Sequence, residues 1–129
     1  MNIMNEFGKH IEHKNLYKEY VRILNGLLQL SDREAELFAL LLKVDCEWES
    51  KLGEPKNILS TDIRRAIMRE TRINKNNLSK YIAVLREKGV LIKTDDGYEV
   101  REMFIPKLTG DLLEVVFILD SRDKQKDFT

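Results

Sequence analysis

Two asparagines, a serine and a lysine stand together at Asn76, Asn77, Ser79 and Lys80, and five basic residues precede them at Arg64, Arg65, Arg69, Arg72 and Lys75. Asparagine offers a paired donor and acceptor that matches the major-groove edge of adenine, and lysine reaches the O6 and N7 acceptors of guanine. Basic residues flanking such a reader fix its register by holding phosphates. Over residues 60–93 there are nine Lys/Arg, at 64, 65, 69, 72, 75, 80, 86, 88 and 93, against acids at 62, 70 and 87, a net of +6. The whole chain balances 22 basic against 22 acidic residues, so the remainder carries −6. A neutral chain that gathers its positive charge on one unit fits nucleic-acid contact. The alternative is a merely solvated helical face.

Other chemistries find less material. His10 and His13 are three apart, with Glu6 and Glu12 nearby, but the spacing matches no zinc signature, so exposed histidines in a polar arm are expected. Cys46 is the single cysteine, which excludes an internal disulfide. It lies in an apolar stretch with no basic neighbour to lower its pKa, as a small core or interface residue would. There is no phosphate-binding G-x-x-x-x-G-K-[ST] loop, no G-x-S-x-G elbow and no H-E-x-x-H pair. Glu34, Glu36, Glu47 and Glu49 are spread at helical solvent positions. Neither catalysis nor a cofactor or metal is expected.

The elements that must position the polar cluster follow from periodicity and caps. The 129 residues suit one domain. Ser31-Asp32-Arg33-Glu34 reads as a capping box that opens a helix near 31–49. Its apolar residues Leu37, Phe38, Leu41, Leu42, Val44 and Trp48 recur at helical spacing, and Ala39 and Leu40 widen the face toward that of a central helix. Ile58-Leu59 is a short extended piece. Ser60 caps a helix near 60–71 with Ile63 and Ile67 inward, and its arginines point outward. After Arg72-Ile73-Asn74, Asn74 caps a helix near 75–88 with Leu78, Ile82 and Leu85 as its buried stripe. Gly89 then sits where a left-handed residue ends a helix. Val90–Thr94 and Tyr98–Ile105 read as strands of a hairpin turning at Asp95–Gly97. At the flanks, Tyr17–Leu24 has the β-branched and aromatic content of a strand, with Asn25-Gly26 as its turn. Leu112–Leu119 reads as a final strand, with a helix as the alternative. It needs a cover, from Tyr17–Leu24 or from a second subunit.

Helix, helix, tight turn, helix, glycine and hairpin is the order of a winged helix-turn-helix. Residues 31–105 resemble the winged-helix domains of bacterial and phage regulators, including the MarR-like and GntR-like groups and plasmid replication initiators. The likeness rests on Leu78-Ser79-Lys80, Leu85 and Lys88-Gly89-Val90-Leu91 with the hairpin directly after them. It is specific for the fold and for no single family. It implies an α+β winged helix, with a three-helix core, a C-terminal hairpin wing and flanking strands from both ends. Residues 1–30 form an N-terminal arm, 31–105 the winged helix, and 106–129 an apolar strand with a polar tail.

The resemblance further implies a small transcriptional or replication regulator, phage-encoded ones included, that binds double-stranded DNA, with Lys93 and the basic residues above near the backbone. Segments outside the reading unit then form a homodimer. The wing tip, Asp95-Asp96-Gly97, runs against that expectation, because carboxylates are repelled by phosphates. Either the wing stays off the DNA, with only Lys93 and Arg101 near the backbone, or the domain is an assembly or virion component that contacts protein. No apolar run reaches the ~18 residues that span a bilayer. The polar N-terminus lacks a signal-peptide core, so the cytoplasm, or a virion assembled there, is the expected location.

Overall fold

A computed structural model describes residues 12–48, 55–110, 112–115 and 120–122. Four helices precede two small antiparallel hairpins: α1 (Leu16–Leu28), α2 (Asp32–Cys46), α3 (Thr61–Thr71) and α4 (Lys75–Glu87), then β1 (Leu91–Thr94) with β2 (Gly97–Val100), and β3 (Leu108–Thr109) with β4 (Leu112–Leu113). Three of the helix starts are where the side-chain caps place them. The Ser31 Oγ accepts from the Glu34 N–H at 3.3 Å while Glu34 Oε1 accepts from the Ser31 N–H at 2.9 Å, which completes the capping box. Ser60 and Asn74 cap α3 and α4 by accepting from the N–H groups of Ile63 and Asn77. Gly89 has the expected positive φ of 79°.

The core lies around α2, whose Leu37, Phe38, Leu41 and Leu42 are fully buried. Tyr20, Val21 and Leu24 of α1, Ile67 of α3, and Leu78, Ile82 and Leu85 of α4 join it, as do Ile58, Val90, Leu91 and Val100. The helical count differs from the expected three, because Tyr17–Leu24 is helix rather than strand. Tyr17, Tyr20, Val21, Leu24 and Leu28 repeat at three- and four-residue spacing. That period outweighs their β-branched and aromatic content. Asn25 and Gly26 are accordingly inside α1 and not at a turn. The chain turns at Gln29, with φ 56°, and Asn25 clamps the return by donating Nδ2 to the Leu30 carbonyl and accepting the Leu30 N–H on Oδ1. Lys88 Nζ, at the far end of α4, donates to the Leu28 carbonyl at 2.7 Å and satisfies an orphan acceptor of the last turn of α1.

The second expected strand is also shorter. It stops at Val100, and Glu102–Phe104 forms a 3-10 turn that brings Phe104 edge-on to Phe38 at 6.4 Å and its carbonyl to the Tyr20 hydroxyl at 2.8 Å. The flanking strands expected from both ends therefore reduce to the β3–β4 hairpin at the C-terminal side. Leu112–Leu113 is the described strand within the Leu112–Leu119 run, and residues 116–119 lie outside the described residues. Leu113 and Val115 pack against the core, while Leu112 is exposed. Trp48 stands just past α2 and is half-buried against the core. Among the described residues no helix is long and apolar enough to cross a membrane.

What fastens β1–β2 to the helices is a set of bonds along the outer edge of β2. The Ile58 N–H donates to the Tyr98 carbonyl at 2.9 Å. Asn57 Oδ1 accepts from the Tyr98 N–H at 3.1 Å, and Asp45 Oδ2 accepts from the Val100 N–H at 2.8 Å. Asp45 is 6% exposed, and its other oxygen takes the Lys56 ammonium at 2.9 Å. An open strand edge is thus closed by side chains from the end of α2 and from the segment before α3. Gly97 is required by the same arrangement. Its φ is 149°, and a Cβ there would stand 2.1 Å from Asn57 Cγ.

Asp45→Ala leaves the Val100 N–H buried without an acceptor and Lys56 without its carboxylate, and is expected to cost about 2–4 kcal/mol in denaturant unfolding. Gly97→Ala should cost at least about 2 kcal/mol through strain and displacement of Asn57. Changes below about 0.5 kcal/mol, the range of plain surface sites, would contradict the edge closure.

A pH effect arises where α1 meets the end of α2. Burial pushes the Tyr17 phenol from 10.0 up to about 12, with the Cys46 and Glu47 charges adding to it. Burial likewise raises Tyr20, and it raises Cys46 with help from the Asp45 charge. Because the folded values lie above the unfolded ones, this stabilisation is complete below the ordinary values and is lost as pH rises through the raised ones. For Tyr17 that window is 10.0 to about 12. The free energy of unfolding, followed in urea, should fall across it, and a flat profile would contradict this packing.

Candidate nucleic-acid interface

α3 and α4 are joined by Arg72, Ile73 and Asn74, and each residue has a structural reason for its place. Arg72 adopts the left-handed conformation, φ 60°, and ends α3 with its N–H on the Met68 carbonyl. Ile73 is buried and anchors the turn in the core. The buried Thr71 hydroxyl donates to the Ile67 carbonyl at 2.7 Å and accepts from the Ile73 N–H at 3.2 Å. Arg33 of α2 donates to the Thr71 carbonyl at 3.2 Å. The turn therefore fixes the angle at which α4 leaves α3, by bonds that reach back to α2.

This geometry leaves Lys75, Asn76, Ser79 and Lys80 exposed on the first half of α4, clear of the Leu78, Ile82 and Leu85 stripe, with Asn77 half-buried beside the cap. Arg65 and Arg69 are exposed on α3, Arg72 is exposed in the turn after it, and Lys93 is exposed on β1. Arg64 is half-buried instead of pointing outward with the others, because its Nε donates to the Leu59 carbonyl at 2.8 Å.

Charge pairing divides the chain in two. Among the described residues the ion pairs are Lys14–Glu12, Arg22–Glu19, Arg33–Glu36, Lys56–Asp45 and Arg122–Asp120. None involves any of the nine basic residues between 60 and 93. Among the described residues no carboxylate neutralises their charge.

The structure brings Arg64 and Lys93 together and adds two residues that do not stand out in the sequence. The guanidinium carbons of Arg64 and Arg86 each lie 5.8 Å from the centroid of the Tyr98 ring, and Lys93 Nζ lies 5.9 Å from it. Four elements thus contribute to one cluster: α3, α4, β1 and β2. Half of it was within reach of the sequence, because a hairpin turning at Asp95 and Asp96 sets Lys93 directly across from Tyr98. The approach of Arg64 and Arg86 depends on how the helices pack, for which the sequence holds no local signal. At the tip, Asp95 and Asp96 are exposed, and the Thr94 hydroxyl bridges the turn from the Asp96 N–H to the Gly97 carbonyl. Arg101 is turned back to the Gly89 carbonyl at 2.7 Å.

Glu6 and His10 lie outside the described residues. Among those described, no three His, Cys, Asp or Glu side chains gather closely enough to hold a metal ion.

Presentation of the α4 surface depends on the Asn74 cap. Asn74→Ala should destabilise the chain by about 1 kcal/mol, the usual worth of an N-cap. Substitution of Asn76 or Lys80 by Ala should stay within about 0.5 kcal/mol. Thermal unfolding of the three variants checks this ordering, and equal losses at all three would contradict it.

No family model matches the chain, and no curated protein or solved structure matches it.

Proposed function

We propose that the chain is a DNA-binding protein in which α2, α3, α4 and the β1–β2 hairpin act as a winged helix-turn-helix, in a small transcriptional or replication regulator of the cytoplasm. The observation that carries this reading is the complete absence of ion pairing, among the described residues, at the nine basic positions between 60 and 93, while ion pairs form elsewhere. Cations left without carboxylates on adjoining elements suit a polyanion, whose condensed counterions they displace. Asn76, Asn77, Ser79 and Lys80 are the base-reading side chains in this proposal. Arg64, Arg65, Arg69, Arg72, Lys75 and Lys93 hold phosphates and set the register.

A second reading has its own support. Ile23 and Leu27, four apart on one face of α1, are 41% and 66% exposed, and the hairpin tip is acidic. Both features suit a protein that contacts other proteins, as an assembly or virion component or as a homodimer.

A binding selection from a random duplex library separates the two. The regulator reading expects an enriched motif with the wild-type chain, lost in a folded Asn77→Ala/Lys80→Ala protein, each base contact being worth about 1–3 kcal/mol of discrimination. It also expects Arg65→Ala or Lys75→Ala to weaken binding about equally on all sequences and to lower the salt slope by ~1. No enrichment by the wild-type chain would favour the protein-contact reading.

A further inference from the structure

We infer that the base of the β1–β2 hairpin, and not its tip, is the hairpin's contact with DNA: Arg64, Arg86 and Lys93, gathered around Tyr98, form a seat for one backbone phosphodiester of the duplex that α4 reads. This rests on the DNA-binding reading above and adds to it a specific phosphate site and two residues, Arg86 and Tyr98.

The seat is argued from the cost of the cluster in the free protein. Three cations lie within 5.9 Å of one ring centroid, so any two are separated by at most about 12 Å, against a screening length of ~8 Å at physiological salt, and Arg64 is half-buried, where screening is weaker. They repel one another, and the negative face of the Tyr98 ring offsets only part of that repulsion. Among the described residues no carboxylate pairs with any of them. The side chains of Arg86 and Lys93 make no hydrogen bond among the described residues, and Arg64 commits its Nε to the Leu59 carbonyl while its terminal nitrogens stay available. A phosphodiester placed among them supplies the missing negative charge, and the arginine forks match its oxygens.

The location also accounts for the acidic tip. Asp95 and Asp96 lie two residues along the strands from the Lys93–Tyr98 pair, about 7 Å at the usual rise of a strand. A hairpin held at its base can keep these carboxylates directed past the backbone. Insertion of the tip into a groove would press them against phosphates.

Anisotropy titrations of a labelled ~20-base-pair duplex of arbitrary sequence, at several salt concentrations, test this with Arg86→Gln, Lys93→Gln and Asp95→Asn/Asp96→Asn, each confirmed folded by circular dichroism. The seat predicts that Arg86→Gln and Lys93→Gln each weaken binding about threefold to tenfold and flatten the salt dependence. The combined variant should lose less than the product of the two effects, because both serve one phosphate. Neutralising the tip should change affinity by no more than about twofold, because Asp95 and Asp96 are exposed and stand about 7 Å from the seat, out of contact with the phosphate it holds. Wild-type binding that survives unchanged in Arg86→Gln and Lys93→Gln, yet is lost in Lys75→Ala or Lys80→Ala, would overturn the seat while leaving the DNA-binding reading standing. A gain of tenfold or more on neutralising the tip would place Asp95 and Asp96 at the backbone and overturn it as well. A wild-type chain that binds no duplex overturns both.

Discussion

The outer edge of β2 is where the separate parts of this fold become one body. A two-stranded hairpin is at best marginally stable in water, and its edges invite pairing with other chains. Here Asp45, at the end of α2, and Asn57, just before α3, accept the edge N–H groups of Val100 and Tyr98. The Ile58 N–H adds a main-chain bond to the same strand. Burial of the Asp45 carboxylate is tolerated because both oxygens are engaged, one by an N–H and one by the Lys56 ammonium. Gly97 has no side chain because Asn57 occupies that space.

Fixing this edge has an electrostatic consequence. With β2 held against the helices, Tyr98 is placed where Arg64 and Arg86 can both reach its ring, and the strand register brings Lys93 to the same point. Arg33 and Thr71 hold the α3–α4 turn in a similar way, and α4 packs against α2 and β1, so its exposed residues are presented from a buried stripe. Among the described residues Glu12, Glu19, Glu36, Asp45 and Asp120 pair with basic residues outside 60–93, and no ion pair forms at the nine basic positions within it. Such a distribution costs stability in isolation and becomes favourable when an anion arrives. This is the physical ground for reading the surface as a DNA contact.

Much of the scaffold was legible in the sequence because its signals are local. Ser31 with Glu34, Ser60, Asn74, Gly89 and the Asp95–Gly97 turn each act over a few residues, and each is where its chemistry requires. The failures have one source. In Tyr17–Leu24 residue composition indicated a strand, but the spacing of Tyr17, Val21, Leu24 and Leu28 was helical, and burial against α2 rewards the spacing. Asn25-Gly26 looked like a turn because Asn is common there, yet its side chain is used to hold Leu30 from within the helix. Val100 ends its strand early because Phe104 is drawn onto Phe38 and Tyr20. The candidate basic residues could be named from charge alone. The convergence of Arg64 and Arg86 on Tyr98, and the roles of Asp45 and Asn57, arise from contacts across tens of residues that no local pattern encodes.

The central claim is the proposal that the exposed basic residues of α3, α4 and the base of the hairpin contact duplex DNA. Chemical-shift mapping of the isotope-labelled chain during titration with a short duplex tests it most directly. The account predicts that shifts concentrate at Arg65, Arg69, Lys75, Asn76, Lys80, Arg86, Lys93 and Tyr98, while the exposed Ile23 and Leu27 of α1 stay in place. Shifts centred on α1, or no shifts at all, would contradict it.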